Sequence, residues 1–509
     1  MTKMNREPLW RADTELPSFP ILQEQIFADV VIVGGGITGI VTGYMLTKEG
    51  KKVAILEADE LLNGTTGHTT AKVTAQHNLI YDQLITSVGE EQARLYYEAN
   101  AEAVRWIRET IQQEGIECGF QEETAYVYTN SEEKEPSLLK EAESYKKLGI
   151  EGSLVDSMPW KTPFKQAVQM KGQARFHPLQ FLKPLVEYIT KNGGAIYEHS
   201  PAEDVEKGER PAVVLRSGVK AIGHDIVVAS HFPFYDNGFY FAKLHPTRSY
   251  VIAIKPKKEF PGGMYITAEQ PTRSVRSTVY NGEEVLLISG DGHKTGKGQP
   301  TESHYQNLMD FAEKEFGIEE LLFTWSTQDL VPMDKIPYIG KADEAENIYS
   351  ATGFKKWGMT TSVAAARLLS DLIVHKQNRY TELFSPDRFK ADPGIQQFVK
   401  QQSDVAATFI KGKLDYFFKE RGNLPVDQGI VVNWEGTRAG AFKEKDGTVH
   451  LVDTTCTHMG CECEWNDAER TWDCPCHGSR YSITGEVIEG PAKKPLKNLG
   501  EIGGQTWQE

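Results

Sequence analysis

Glycines at fixed spacing near the start of the chain are the first residues whose pattern suggests chemistry. Gly34, Gly36 and Gly39 form G-x-G-x-x-G. In this pattern the first glycine permits a tight turn, the second lets the backbone approach a pyrophosphate, and the third lets a helix pack closely on a strand. The free N–H groups and the dipole at the N-terminus of that helix would bind the anion. The spacing therefore predicts a nucleotide-binding site.

The elements needed to position these glycines also follow from the sequence. Residues 28–33 are a short apolar run typical of a strand, residues 37–49 have helical spacing of apolar residues, and residues 53–56 predict a second strand. This second strand ends at Glu57, whose carboxylate would accept hydrogen bonds from ribose hydroxyls. Because strand, helix, strand and acid occur in this order, the pattern favours a dinucleotide site over a turn that is merely rich in glycine.

Cysteines and histidines near the other end of the chain form a second group. Five of the six cysteines lie between Cys456 and Cys476, and the segments 456–458 and 474–477 have the spacings C-x-H and C-x-x-H. Two thiolates and two imidazoles can hold a two-iron cluster, with the thiolates on one iron and the imidazoles on the other. Zinc is the alternative metal. The C-x-x-C knuckles of zinc ribbons are absent from the sequence, which favours iron.

Residues 29–376 resemble the D-amino-acid oxidase-like family of flavoproteins, which includes glycine and sarcosine oxidases. Besides the glycine pattern, the resemblance rests on GTTGHT at 64–69, GQARFHP at 172–178, DKIPYIG at 334–340 and ATGFKKWGMT at 351–360. It implies an α/β FAD-binding Rossmann-type domain with an interleaved β-rich substrate domain, and FAD as the cofactor. The sequence contains no second fingerprint for NAD.

The same resemblance implies which residues contact FAD. In this family the late glycine segment caps a helix whose N-terminus faces the flavin, which stabilises negative charge on the reduced ring. The implied cofactor contacts are Gly34, Gly36, Gly39, Glu57, Thr66, His68, Gly353 and Gly358. His68 is similar to a histidine that bonds covalently to the flavin in dimethylglycine and sarcosine dehydrogenases. Those relatives have Trp where this chain has Gly67, so we predict a non-covalent flavin and a hydrogen-bonded His68.

Residues 426–505 resemble the Rieske proteins of respiratory cytochrome bc complexes more than those of ring-hydroxylating oxygenases. The resemblance implies that four residues of this chain bind the metal. The implied ligands of a Rieske-type 2Fe-2S cluster are Cys456, His458, Cys474 and His477. An imidazole in place of a thiolate removes negative charge from the cluster, so reduction becomes easier.

Further residues of the Rieske-like segment match positions that support the cluster in the cytochrome bc type. There a disulfide ties the two cluster loops together, and the resemblance implies that Cys461 and Cys476 form it. Ser479 and Tyr481 match the positions that donate hydrogen bonds to the cluster and raise its potential. Cys463 has no implied role.

Candidate catalytic residues are fewer, because oxidation of an amine by flavin mainly needs a site that holds the substrate C–H over the flavin. Amino-acid substrates also need a cation for the carboxylate. Arg248 with Tyr250, and Lys355 or Lys356 close to the implied flavin site, are the candidates. For each cation the alternative is a surface position or a structural ion pair.

Composition limits the partners of the chain. Among its 509 residues, 56 are Lys or Arg and 71 are Asp or Glu, which gives a net charge of −15. Such a surface repels phosphate backbones and anionic lipids, so we expect neither a nucleic-acid partner nor a membrane-surface partner. The apolar run at residues 30–41 is too short to span a bilayer. The first residues lack the features of an export signal, so we expect a cytoplasmic protein.

Changes in composition and hydrophobic pattern along the sequence predict four regions. They are an N-terminal extension at 1–26, the FAD-dependent oxidoreductase at 27–384, a helical connector at 385–425 and an all-β Rieske domain at 426–509.

The combination predicts a flavoprotein oxidoreductase that oxidises a C–N bond of an amino acid or N-methylated amine. Electrons would pass from FAD, one at a time, through the cluster to an external acceptor, which would be a protein. One alternative is reverse flow, in which an external donor protein reduces the cluster and the flavin then reduces a substrate. Another is a non-catalytic redox carrier or sensor. An oxygenase is disfavoured because the sequence lacks the spacing for a mononuclear iron site.

Overall fold

The computed structural model describes residues 5–236, 240–297, 300–342, 347–388, 424–503 and 507. Most of the predicted helical connector, residues 389–423, lies outside these ranges. The chain divides into two compact units. The first unit consists of Met1–Gly238, Ser249–Gly292 and Tyr305–Lys390. The second consists of Phe239–Arg248, His293–His304 and Ala391–Glu509.

Helices of the described residues belong mainly to the first unit. They are α1 (Leu9–Ala12), α2 (Ile37–Lys48), α3 (Tyr81–Val88), α4 (Glu90–Glu114), α5 (Glu135–Leu148), α6 (Pro178–Lys191), α7 (Tyr240–Lys243), α8 (Glu302–Glu315), α9 (Gly358–Ile373) and α10 (Thr381–Phe384). The helix predicted at residues 37–49 is confirmed. Among the described residues, no helix is long and apolar enough to cross a membrane.

A six-stranded sheet forms the nucleotide-binding layer of the first unit. Its order is β18 (Tyr338–Lys341), β19 (Ile348–Thr352), β12 (Asp225–Val228), β2 (Val30–Val33), β3 (Val53–Leu56) and β8 (Ala195–Tyr197). All its pairings are parallel except that of β18 with β19. Every residue of β2 and β3 is buried, as expected for a parallel sheet covered on both faces.

A nine-stranded, mostly antiparallel sheet forms the second layer. Along its main path the strands are β17 (Ile318–Pro332), β13 (Leu244–Pro256), β16 (Glu283–Lys294), β15 (Arg273–Tyr280), β14 (Met264–Thr267), β5 (Gln121–Thr129), β7 (Gln166–Arg175) and β4 (Lys72–Val73), and β6 (Gly152–Val155) pairs with β7. A small third sheet contains β1 (Ile26–Phe27), β11 (Lys220–Ile222), β10 (Ala212–Leu215) and β9 (Ala202–Glu206). Groups of strands from the six-stranded and nine-stranded sheets alternate along the chain, which confirms the predicted interleaving of two layers.

The N-terminal residues pack into the first unit. Leu9 and Trp10 of α1 are fully buried in its main hydrophobic core. The Trp10 indole donates a hydrogen bond to the carbonyl of Thr69 at 2.7 Å. The segment predicted as an extension thus contributes two of its own side chains to the core.

The second unit contains two four-stranded antiparallel sheets. One is β20 (Gly429–Trp434), β21 (Thr437–Lys443), β22 (Val449–Asp453) and β27 (Asn498–Ile502). The other is β23 (Glu464–Asn466), β24 (Thr471–Asp473), β25 (Arg480–Tyr481) and β26 (Val487–Glu489). Each sheet has its own small hydrophobic core, and five cysteines belong to the core beside the second sheet. The all-β prediction for this region is confirmed.

Candidate functional site

The turn between β2 and α2 excludes side chains at its glycines. Gly34 has a φ of +114°, and a Cβ there would lie 2.5 Å from the carbonyl oxygen of Ala229. A Cβ on Gly39 would lie 2.0 Å from the carbonyl oxygen of Gly34. A Cβ on Gly36 would lie 3.2 Å from the hydroxyl of Thr66, so any larger side chain would also meet this neighbour. The three glycines let α2 start directly on the strand, as a dinucleotide cradle requires.

Polar groups surround the start of α2. The hydroxyl of Thr66 accepts a hydrogen bond from the backbone N–H of Ile37 at 3.0 Å. Glu57 follows β3, and its carboxylate accepts hydrogen bonds from the N–H groups of Gly35 at 2.7 Å and Asp59 at 3.0 Å. Burial raises the pKa of Glu57. Thr66 and Glu57, both predicted from the sequence, therefore lie beside the glycine turn.

Hydrogen bonds from side chains to backbone carbonyl groups hold the loop that contains His68. The Nδ1 of His68 lies 2.9 Å from the carbonyl oxygen of Gly64, and the carbonyl of His68 accepts a hydrogen bond from the Trp325 indole at 2.8 Å. A Cβ at Gly67 would lie 2.5 Å from the carbonyl oxygen of Leu62. The Trp found in the covalently flavinylated relatives does not fit this loop conformation, and a non-covalent flavin stays our prediction.

The late glycine segment leads into a second helix N-terminus. Gly353 has a φ of +79° and follows β19, and Gly358 is the first residue of α9. The hydroxyl of Thr38, in the first turn of α2, donates to the hydroxyl of Ser362 in α9 at 2.9 Å. The N-terminal parts of the two helices therefore lie side by side. Two helix N-termini in one place provide a strong site for an anionic group.

Two lysines lie between β19 and α9 in left-handed backbone conformations. The φ angles are +50° at Lys355 and +70° at Lys356. The ammonium of Lys356 donates to the hydroxyl of Ser249 at 2.6 Å. Burial lowers the pKa of both side chains, and that of Lys355 falls to about 7. Left-handed backbone at two successive residues other than glycine is costly, and such strain is concentrated at functional sites.

Other buried polar residues of the first unit were missed by the sequence analysis. Lys72 donates to the carbonyl of Tyr265 at 3.0 Å and to the hydroxyl of Ser274 at 2.5 Å, and burial lowers its pKa to about 7. Arg276 on β15 is fully buried, and burial lowers its pKa as well. Arg276 lies in the continuously buried middle of β15, and neither Arg276 nor Lys72 has a recognisable sequence signal.

His77 is a further buried residue near the start of α9. Its Nδ1 lies 2.7 Å from the Tyr96 hydroxyl, and its Nε2 lies 2.9 Å from the carbonyl oxygen of Thr74 and 3.3 Å from the hydroxyl of Thr360. Its ring stacks on Trp357 with the centroids 4.8 Å apart. Burial lowers the pKa of His77 to about 3, so the imidazole is neutral.

Arg248 and Tyr250, the two candidates close together on β13, have different surroundings in the structure. Tyr250 is fully buried in the first unit, where its ring meets that of Tyr305 edge to face with centroids 5.0 Å apart. Arg248 belongs to the second unit and is fully buried, with its guanidinium 4.0 Å from the carboxylate of Asp473 and 3.9 Å from that of Glu489. This environment favours the structural ion pair for Arg248 over a substrate contact.

The cysteines of the second unit converge on one buried place. The Sγ atoms of Cys456, Cys463 and Cys474 all lie within 4.8 Å of one another. Cys461 and Cys476 form a disulfide, as the resemblance implied. Cys463 has no role implied by the sequence, yet its sulfur lies beside the two predicted ligand sulfurs.

The two predicted histidine ligands also lie together. The ring centroids of His458 and His477 are 5.1 Å apart. The Nδ1 of His477 is buried and has no hydrogen-bond partner within the described part of the chain. Burial lowers the pKa of His477 to about 4, which keeps the imidazole neutral and able to bind a metal. A buried nitrogen of this kind, next to a group of thiols, fits a two-iron cluster.

Hydrogen bonds reach the predicted cluster from β25 and its neighbours. The Tyr481 hydroxyl lies 3.2 Å from the Sγ of Cys456, and burial raises the pKa of Tyr481, so the hydroxyl keeps its proton. Hydrogen bonds from Cys463, Cys474 and Tyr481 lower the pKa of the Cys456 thiol. The hydroxyl of Ser479 accepts a hydrogen bond from the N–H of Ala492 at 3.0 Å and is fully buried.

Comparison with known families agrees with these two sites. The family model described as FAD dependent oxidoreductase matches residues 29–372. The chain belongs to this family. The model described as Rieske [2Fe-2S] domain matches residues 416–500 of the oxidoreductase. FAD and a Rieske 2Fe-2S cluster are therefore its cofactors, and both predicted halves are confirmed.

Individual relatives support the same assignment. The oxidoreductase is 52% identical over 495 residues to YhfW of Bacillus subtilis (strain 168), named as a Rieske 2Fe-2S iron-sulfur protein, with 97% of each chain covered. It is 23% identical over 389 residues to the gamma-glutamylputrescine oxidoreductase of Escherichia coli (strain K12), which covers 71% of this chain and 87% of the relative. Glycine oxidase from Geobacillus kaustophilus shares the fold of 72% of the chain over its whole length, with a TM-score of 0.60 and 18% identity.

Proposed function

We propose that this FAD-dependent oxidoreductase oxidises a C–N bond of an amino acid or N-methylated amine and delivers the electrons through its Rieske cluster to an external acceptor protein. The observation that carries this proposal is that one chain has both a dinucleotide cradle with two helix N-termini and a cluster of buried thiols beside two imidazoles. Bound FAD takes two electrons with a hydride, whereas the cluster takes one electron at a time.

The cofactor contacts in this proposal are those that the sequence indicated. We assign the FAD contacts to Gly34, Gly36, Gly39, Glu57, Thr66, His68, Gly353 and Gly358, and the cluster ligands to Cys456, His458, Cys474 and His477. The side-by-side N-termini of α2 and α9 support the first set because they favour negative charge on a bound cofactor. The buried Nδ1 of His477 supports the second.

The substrate class is supported by the relatives and by the lysines near α9. The name of the Escherichia coli relative contains an amine, gamma-glutamylputrescine, and the name of the Geobacillus kaustophilus enzyme contains an amino acid, glycine. In this chain Lys356 is held by the hydroxyl of Ser249, and Lys355 precedes it with a pKa of about 7. We assign Lys356 to the substrate carboxylate, because an enclosed cation binds an anion more strongly than an exposed one. Tyr250 follows Ser249 on β13, and because successive side chains of a strand point to opposite faces, we do not assign Tyr250 to this contact.

The direction of electron flow is supported by the hydrogen bonds around the cluster cysteines. The hydroxyl of Tyr481 and the thiol of Cys463 both approach Cys456. Donors to a ligand sulfur stabilise the more negative, reduced cluster and so raise its potential. A high cluster potential draws electrons away from a reduced flavin, which favours substrate oxidation over the reverse flow.

An anaerobic screen tests the proposed activity. The purified holoprotein would be mixed with amino acids, N-methylated amines and amines without a carboxylate while the flavin absorbance is followed. We expect bleaching with one of the first two groups. Bleaching with none of them, together with flavin reduction by a reduced external protein, would contradict the proposal and support the reverse flow.

A further inference from the structure

A short segment from the flavoprotein half of the sequence lies on the histidine side of the Rieske domain. Residues 239–248 precede the middle of β13 in the chain, yet they belong to the same compact unit as the Rieske residues. The described part of this segment begins with α7 (Tyr240–Lys243). Its position is not explained by the FAD site or by the ligand set.

Phe241 of this segment contacts both predicted histidine ligands. Its ring centroid is 5.4 Å from that of His458 and 5.5 Å from that of His477, and both pairs meet edge to face. His477 retains only 3% of its surface, whereas His458 is partly exposed. Edge-to-face contact at these distances is the favourable geometry for aromatic pairs. One side chain thus packs against both imidazoles.

Buried ion pairs anchor the segment to the residues around the second ligand loop. Arg248, at its end, is fully buried near the carboxylates of Asp473 and Glu489. Asp473 immediately precedes the predicted ligand Cys474, and its carboxylate also lies 3.4 Å from Arg480. Moving the segment away would leave uncompensated charges in this network, which is unfavourable.

A second flavoprotein segment, residues 293–304, packs on the same side of the unit. The Thr301 backbone N–H donates to the carboxylate of Asp467 at 2.8 Å, and its hydroxyl accepts from the N–H of Ala468 at 2.9 Å. A Cβ on Gly296 would lie 2.6 Å from the backbone of Pro475, the residue between Cys474 and Cys476. Two independent segments therefore contact the second ligand loop and its neighbours.

We propose that Phe241 covers the two cluster histidines and keeps quinone-type carriers and docking proteins away from their rings. An imidazole bound to iron through one nitrogen presents its other N–H outward, where a quinone carbonyl could accept a hydrogen bond. The Phe241 ring has no hydrogen-bonding group and fills space beside both imidazoles. An external electron acceptor must then approach the second unit at another surface. This inference rests on the Rieske cluster and not on the proposed substrate.

Chemical modification of histidine tests the cover directly in the oxidised full-length holoprotein. Diethyl pyrocarbonate acylates accessible imidazole nitrogens, and peptide mass spectrometry gives the rate for each histidine. The side chains of His199 and His224 are 52% and 56% exposed and serve as internal references. We expect His477 to react at least tenfold more slowly than His224. Phe241→Ala should accelerate modification of His477 at least tenfold, accelerate that of the partly exposed His458 by a smaller factor, and leave His224 unchanged.

Matched variants distinguish loss of the Phe241 ring beside the histidines from a general loss of structure. Phe241→Trp restores an aromatic ring and should restore the slow rate, whereas Phe27→Ala removes an exposed ring of the first unit and should have no effect. Iron content and the EPR spectrum verify that each variant keeps its cluster. If Phe241→Ala loses the cluster, Phe241→Leu, which keeps an apolar side chain, gives the comparison. Equal rates for His477 and His224 in the unmodified chain, or no acceleration in a cluster-containing Phe241 variant, would overturn the proposal.

A quinone probe provides a second readout. Duroquinone would be added to the dithionite-reduced and desalted protein, and the EPR g-values of the fraction of the cluster that is still reduced would be recorded at once. We expect unchanged g-values in the unmodified chain and shifted g-values in Phe241→Ala, because only the uncovered imidazoles can donate to the quinone carbonyl. A shift of the same size in both proteins would show that the histidines are open and would contradict the cover.

Discussion

The flavin cradle depends on positions where no side chain fits. The cluster site depends instead on particular side chains, because these supply the ligand atoms. At Gly34 and Gly39 a Cβ would lie within 2.5 Å of backbone oxygens. In the second unit, Cys456 and Cys474 bring their sulfurs together from two separate loops. The cradle thus depends on the path of the backbone, and the cluster depends on the chemistry of a few side chains.

This difference predicts that either site can be emptied while the other stays filled. A ligand removed from the cluster leaves the glycine turn untouched, and a side chain added to the turn leaves the cysteines untouched. The following variants are chosen to break or sharpen this independence.

Loss of one thiolate should have the largest effect. Cys474→Ala removes a predicted ligand, and because the cluster is held as a unit, we expect both irons to be lost while the FAD content stays near one per chain. Iron analysis and the flavin spectrum of the purified variant measure both quantities. Cys118→Ala, a buried cysteine of the first unit, is the matched control and should keep both cofactors. Retention of two irons in Cys474→Ala would contradict the ligand assignment.

A side chain at the second glycine should have the converse effect. In Gly36→Val the added methyl groups enter the space beside the Thr66 hydroxyl and the N-terminus of α2, where the pyrophosphate is expected. The FAD content should fall at least tenfold, and the iron content should stay at two per chain. Gly64→Ala is the control, because a Cβ at Gly64 meets no atom within 4 Å. A full complement of FAD in Gly36→Val would show that the cradle is elsewhere.

Removal of the enclosed ammonium should change substrate affinity and leave both cofactors bound. Lys356→Met is expected to raise KM for a carboxylate-bearing substrate by about tenfold, equivalent to ~1.4 kcal/mol. Amines without a carboxylate should be unaffected. Ser249→Ala removes only the hydrogen-bond partner of Lys356 and should cause a smaller increase. An equal loss with both substrate types would show that Lys356 supports the structure and does not contact the carboxylate.

The smallest effect is expected at Cys463. Its thiol lies beside the predicted ligand sulfurs but is not assigned as a ligand. Cys463→Ala should therefore keep two irons, and loss of one hydrogen bond of about 1 kcal/mol should lower the midpoint potential by on the order of 40 mV. Cys463→Ser keeps a donor and should change the potential less. Loss of iron in Cys463→Ala would make Cys463 a ligand and require a revised ligand set.

The parts that could be predicted from the sequence are those encoded in short segments. The glycine pattern, Glu57 and the spacing of Cys456, His458, Cys474 and His477 lie within continuous stretches, so the two cofactors could be predicted from residue type and spacing, and the individual contacts stay predictions. The disulfide between Cys461 and Cys476 followed from the family resemblance and is present in the structure.

The parts of the site that could not be predicted depend on contacts between segments that are distant in the sequence. Tyr96 in α4 and Trp357 just before α9 both contact His77, and no local sequence pattern predicts these contacts. Arg248 was a substrate candidate because it is a cation near Tyr250, but its partners, Asp473 and Glu489, lie more than 200 residues away. Pairings of this kind are set by the tertiary fold, which spacing alone does not reveal.

The central claim is that electrons from an amine or amino acid pass through FAD to the Rieske cluster of the same chain. The most direct measurement mixes the anaerobic holoprotein with the substrate found in the screen and records flavin absorbance together with the EPR signal of the reduced cluster. We predict that the flavin bleaches and the cluster signal appears in the unmodified chain, and that no cluster signal appears in Gly36→Val. A cluster that stays oxidised beside a fully reduced flavin would contradict this account.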